Sequence, residues 1–240
     1  MGSYVPNSPA VRQEMLAAMG ASSIRDLYAN VPEEMFVREL DLPAGAPGGE
    51  NSGQLRFLHP RPLHRPGQGL LRKLHRDRKG SLAYLLTLGR EGVPEASENA
   101  VLNANYMMWR LAKTYDMAYN GWCMHEFVMT LEKLHKDTGV SAMDIAKDLL
   151  DHGIHPPTMY SPLIVHEALM VEPTETESKE TMDEACAVFE QLYQDALRDP
   201  QSLHEAPRRT PVRRLDEVSA ARNPVLRYEF PAGDGEPANP

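Results

Sequence analysis

The sequence is poor in the features that assign a chain to a class at once. Its 240 residues hold two cysteines, Cys123 and Cys186, too few for a disulfide framework, so a reducing cytoplasm is the expected compartment. No apolar run approaches the roughly 20 residues of a membrane-spanning helix, and no membrane partner is expected. The opening Met1-Gly2-Ser3-Tyr4 lacks the basic stretch and apolar core of a secretory signal. Internal repeats and heptads are missing. So are a phosphate-binding P-loop, a dinucleotide fingerprint, a Gly-x-Ser-x-Gly elbow and a His-Glu-x-x-His zinc helix.

What is present is an ordinary globular composition, 42% hydrophobic and 25% charged, enough for one domain with a tethered segment. The charge is uneven. Residues 1–90 carry 12 Lys/Arg against 8 Asp/Glu, and residues 91–240 carry 13 against 26. An acidic main body argues against a nucleic-acid partner, whose affinity rests on cationic contacts. The basic stretch from Arg56 to Lys79, with eight Lys/Arg and the single acid Asp77, reads as a solvated linker or a phosphate contact. It lacks the interleaved aromatics of an RNA-binding segment.

Four segments follow from the pattern. Residues 1–42 form an N-terminal helical segment: Ser8-Pro9 starts a helix, Gly20 ends it, and Ser22-Ser23 starts a shorter one. Residues 43–80 are a basic Pro/Gly-rich linker, unable to hold a helix over the 41–69 stretch. Residues 81–230 form an α+β domain, helices packed on one face of a small, mainly antiparallel sheet. Residues 231–240 are a disordered tail. Within the domain, 82–88 predicts a short helix ended by Gly89, and Pro94 opens a long one. Asn120-Gly121 predicts a tight hairpin between 116–119 and 122–131. Val140-Ser141 caps a helix stopped by Gly153, and 168–171 is a short apolar strand. Thr176 or Ser178 caps a last helix with the core stripe Met182, Ala185, Cys186, Phe189, Leu192, Tyr193 and Leu197. The chain beyond Pro200 reads as irregular.

Three motifs offer chemistry. In Cys123-Met124-His125-Glu126-Phe127, a strand places Cys123 and His125 on one face. They are a nucleophile and base, two metal ligands too few for a structural zinc site, or a buried thiol beside a satisfied histidine. His152-Gly153-Ile154-His155-Pro156-Pro157-Thr158 spaces two histidines for chelation, but the prolines favour a rigid binding loop in which Thr158 offers a hydroxyl. Glu172-Pro173-Thr174-Glu175-Thr176-Glu177-Ser178 is a strand-to-helix turn with acids at a helix start, or a set of carboxylates and hydroxyls that orient an amino-acid ligand.

These motifs, with Ser97-Glu98-Asn99-Ala100-Val101-Leu102-Asn103-Ala104-Asn105-Tyr106 and Ala168-Leu169-Met170-Val171, resemble glycine decarboxylase, the P-protein of the glycine cleavage system, over residues 81–228. The likeness is to the C-terminal small domain of its second half. Tyr4-Val5-Pro6-Asn7, Glu14-Met15-Leu16 and Ser22-Ser23-Ile24-Arg25-Asp26-Leu27-Tyr28 resemble the opening of subunit 1 of the two-subunit form.

The resemblance implies the small-domain fold of fold-type I pyridoxal-phosphate enzymes, glycine catabolism, pyridoxal phosphate as cofactor, and P-protein subunits or the lipoyl carrier (H-protein) as partners. It also implies a loss. The family's Schiff-base lysine stands in a Leu-His-Lys context, and the nearest string here, Leu74-His75-Arg76, has an arginine, which forms no aldimine. The cofactor is therefore not expected on this chain alone, and no catalytic, cofactor-binding or metal-ligating residue is assigned. His125, Pro157, Thr158 and Glu175 carry over only as substrate-side residues of a domain that closes over the active site. The expected function is a P-protein-like polypeptide, inactive alone and active with a complementing partner. The alternatives are a non-catalytic binding or regulatory module for P-protein or the lipoyl carrier, and an inert deletion remnant.

Overall fold

The computed structural model describes residues 4–36, 40–45 and 68–227, the stretch 68–80 by its backbone. Most of the linker reading and all of the tail reading lie outside these residues.

Local signals account for the helix boundaries. In α1 (Pro9–Met19) the Ser8 hydroxyl accepts from the Val11 amide, Pro9 takes the first turn, and Gly20 closes the helix at φ +77°. Two 3-10 turns follow, Ile24–Tyr28 and Glu33–Met35. The helix α2 runs from Gln68 to Leu111 and breaks at Gly89, which has non-helical backbone angles. It therefore begins thirteen residues before the predicted Ser81, inside the stretch read as linker. Pro94, predicted to open the long helix, instead lies inside it, five residues after the break.

The sheet has the order β1-β2-β4-β3, antiparallel throughout, with strands Asp116–Met117, Phe127–Thr130, Thr158–Met159 and Ala168–Val171 for β1, β2, β3 and β4. The α+β class is that of the sequence reading. The β1–β2 hairpin forms, but across a loop of residues 118–126 rather than a two-residue turn at Asn120-Gly121. Cys123 and His125 thus lie in the loop and not on a strand.

After β2 comes α3 (Glu132–Thr138), which the pattern did not announce. In α4 (Ala142–Asp151) Ser141 and Asp144 make a reciprocal capping box. Ser178 caps α5 (Lys179–Arg198), whose Met182, Cys186, Phe189, Leu192 and Ala196 are buried. Leu197, placed in that stripe by sequence, is half-exposed because it falls one position beyond the inward face. Two short helices, α6 (Pro200–His204) and α7 (Glu217–Arg222), occupy a stretch read as irregular. One apolar cluster joins α1, α2, α4, α5 and the sheet, with Met15, Leu102, Leu111, Met129, Ile145, Leu169 and Phe189 almost wholly buried. Tyr115 donates a hydrogen bond to the Phe189 carbonyl at 2.7 Å within it. No described helix is long and apolar enough to cross a membrane.

Candidate functional site

Strand register brings the three motifs to one end of the sheet. Phe127 pairs with Val171, so His125 and Glu126 before β2 arrive beside Glu172 after β4. Thr158 pairs with Met170, so the 155–157 stretch before β3 reaches the same end. A cavity of about 680 Å³ opens there. Its walls are the His152, His155, Pro156, Pro157 and Thr158 loop, Glu172 to Thr174 of the turn, and Glu177; Met107, Met182 and Phe189 supply apolar surface.

Of the four residues singled out by resemblance, Pro157 and Thr158 line this cavity. His125 stands next to it, its Nε2 3.6 Å from Glu172 Oε1 and 3.9 Å from Glu126 Oε2. Glu175 turns elsewhere: it accepts from the Tyr4 and Tyr84 hydroxyls at 3.3 and 3.4 Å. Desolvation and the Glu175 charge push the Tyr84 phenol up to about 12, so it stays a donor.

His125 pairs with Glu126 and Glu172, while Cys123 is largely withdrawn from solvent. Burial pushes the Cys123 thiol up to about 12, which leaves it protonated at neutral pH. Its peptide unit is clamped by Asn105, which accepts from the Cys123 amide at 3.0 Å and donates to its carbonyl at 2.8 Å. Cys186, fully buried, is pushed up to about 12 by the same cause, and both cysteines are free thiols.

The donor atoms of His125, Glu126 and Glu172 lie within 4.8 Å of one another. All three side chains are 40% or more exposed, and among the described residues no fourth donor joins them. Such a set lacks the closed coordination and supporting hydrogen bonds of a structural metal site.

The cavity does not suit pyridoxal phosphate held by this chain. Glu172, Glu177 and Glu184 line it, and among the described residues no lysine or arginine does. A lining of that sign repels a phosphate dianion and offers no amine for a Schiff base.

Sequence reasoning missed the residues that shape the turn. Asn99, Asn103 and Asn105 are fully buried on α2, beside the buried Val101, Leu102 and Ala104. Asn99 donates to the Glu175 carbonyl at 2.7 Å, and Asn103 to the Thr174 and Glu177 carbonyls at 2.9 and 3.1 Å. Two side-chain amides one turn apart thereby satisfy turn carbonyls alongside the internal backbone bond from the Glu177 amide to the Thr174 carbonyl at 3.2 Å. The available signal was their i, i+4 spacing within the Asn-Ala-Val-Leu-Asn-Ala-Asn run.

The sequence is similar to known proteins over this region. A family model described as "Glycine dehydrogenase, C-terminal domain" matches residues 96–207. The "Probable glycine dehydrogenase (decarboxylating) subunit 2" of Treponema denticola is 60% identical over 147 residues, 61% of this chain and 30% of that protein. The like-named proteins of Thermosipho africanus and Shouchella clausii are 57% and 54% identical over 147 residues each, 61% of this chain and 31% and 30% of theirs. The chain thus spans about 30% of the length of these curated relatives. Its cavity, the asparagine-held turn and both flanking motifs all fall inside the stretch of residues 96–207 that is similar to the glycine dehydrogenase C-terminal domain.

Proposed function

We propose that this chain is a P-protein-like polypeptide of glycine cleavage that lacks turnover by itself and acts as the small domain of an active site completed by a partner. The partner supplies the pyridoxal-phosphate lysine and its phosphate site. This chain supplies the rigid Pro156-Pro157-Thr158 loop and the Glu172 turn, which exclude water and present a hydroxyl and carboxylates to the substrate side. The P-protein subunits and the lipoyl carrier are the expected partners, and the cytoplasm the expected compartment. The observation that carries the reading is the cavity itself: it unites two family motifs in a chain 60% identical over 147 residues to part of a named subunit, yet its acidic lining suits an amine rather than a phosphate.

The test mixes the purified chain with a P-protein from which the C-terminal domain has been deleted, in the presence of pyridoxal phosphate and lipoylated carrier, and follows exchange of labelled bicarbonate into glycine. Turnover only on mixing is expected. Turnover by the chain alone, or a single borohydride-reduced cofactor adduct on one lysine that glycine alters, would overturn it. Association on mixing without turnover supports the second reading, a binding module, which the missing Schiff-base lysine at Leu74-His75-Arg76 also favours.

A further inference from the structure

Residues 4–36 lie outside the family match, yet they are fitted onto the matched domain by a contact with the anatomy of an interface. At its centre is Asn7, 3% exposed. Its amide nitrogen donates to Asn103 Oδ1 at 3.1 Å and to the Glu177 carbonyl at 3.2 Å. Its oxygen accepts from the Lys179 amide at 2.9 Å, one of the donors left over at the start of α5. One primary amide, donor and acceptor together, therefore answers three groups of the domain. In the same segment Val5, Met15, Leu16 and Leu27 are buried, the last three within the apolar cluster that α1 shares with the domain. At the rim Arg12 meets Glu95 at 3.1 Å and Glu14 meets Lys179 at 3.3 Å. An amide anchor in an apolar patch with a charged edge is how separate chains recognise one another.

The segment also carries its own folding signals. The Ser8 cap, the Gly20 stop and the Ser23–Asp26 capping box all lie within it, so its shape needs few instructions from the domain. Its polar contacts fall on Glu95 and Asn103 of α2 and on Lys179 at the start of α5.

We propose that the face made by α2 and the N-terminal end of α5 is a recognition site for the 4–36 segment as a separable ligand, one that binds whether or not a peptide chain joins the two. The chain then holds in cis both halves of a contact that works equally between chains. This does not depend on the catalytic reading, because binding alone is measured.

The test uses the full chain with a specific protease site placed between Gly48 and Gly49. After cleavage the two pieces are expected to co-elute in gel filtration. A fluorescent synthetic peptide of residues 2–36, added in excess to the cleaved protein, should exchange in and give a saturable rise in anisotropy. The uncut chain, whose tethered segment competes at high effective concentration, should take it at least tenfold more weakly. The same peptide with Asn7→Ala should bind tenfold or more weakly to the cleaved protein, and since the protein is unaltered its folding is not at issue. Three results would overturn the proposal: a peptide that does not enter, an Asn7→Ala peptide that binds as tightly as the parent, or loss of helical circular dichroism on cleavage, which would show that the contact does not survive without the tether.

Discussion

Asp144, Asp148 and Asp151 follow one another at i, i+4 and i+7 along α4, and all three are at most 7% exposed. Each meets a cation or amide of the C-terminal stretch. Arg214 reaches Asp144 at 2.6 Å, Arg208 reaches Asp148 at 3.2 Å, and the Arg208 and Arg209 amides both donate to Asp151 at 2.6 Å. Burial pushes the Asp144 carboxyl up, but the Ser141 amide and hydroxyl and then Arg214 outweigh it and hold it below the usual 3.8. A carboxyl depressed by folding stabilises above its unfolded value and loses that contribution as pH falls through the folded one. Arg214→Leu removes one partner of this buried carboxylate and leaves Ser141 and His204 in place, and should cost about 1–3 kcal/mol at pH 7. In chemical denaturation the gap from the parent should narrow as pH drops below 3.8, and a gap that is flat with pH would refute the assignment. Asp148 has the opposite sign. Desolvation there exceeds the pull of Arg208 and raises the carboxyl, so its charge detracts from stability above that raised value. Asp148→Asn should therefore cost less than about 1 kcal/mol at pH 7.

Among the elements, the break in α2 depends on one atom that is not there. Gly89 sits at φ +63° and ψ −167°, a region essentially reserved for glycine. Its backbone bridges to Ala44, while Arg90 donates to the Pro43 carbonyl at 3.0 Å. A Cβ at Gly89 would come within 2.0 Å of the Gly45 nitrogen. Gly89→Ala must therefore distort the break or expel the 43–45 strip, at a cost of about 1–3 kcal/mol. Thermal unfolding should show a loss of several degrees, while Gly20→Ala, with open space around its Cβ, should lose only the penalty of its left-handed cap. The glycine was legible in sequence as a helix stop, and so were the Ser8, Ser141 and Ser178 caps and the 168–171 strand, because each is decided within a few residues. What was not legible was decided at a distance. The long β1–β2 loop overrode Asn120-Gly121 because Phe127 pairs with Val171 forty-four residues on. In the same way Glu175, read as facing a ligand, is taken by Tyr4 and Tyr84, and no local pattern brings residues 4, 84 and 175 together.

For the molecule as a whole, the formal charge of −9 disfavours self-association through general repulsion, so any tendency to self-associate must come from a local apolar surface. The β3–β4 loop offers one. Leu163 and Ile164 are 93% and 82% exposed between Tyr160 and Glu167, both of which hold positive φ. Two adjacent aliphatic side chains that touch no core contribute little to stability but expose a patch that a partner or a second copy would cover. The loop's position is set from its ends: the Glu167 carboxylate accepts from the Ala142 amide at 2.6 Å, and the Tyr160 amide donates to the Ala168 carbonyl at 2.9 Å. Replacing the tip therefore leaves the sheet register and the cavity untouched. Leu163→Ser with Ile164→Ser should lower concentration-dependent light scattering while the unfolding midpoint shifts by less than about 0.5 kcal/mol in free energy. If the midpoint falls by several degrees instead, the tip is buried in solution and the loop is part of the fold. If scattering is unchanged, the sticky surface lies elsewhere, and the half-exposed Val212, Leu215 and Val218 of the C-terminal stretch become the residues to replace.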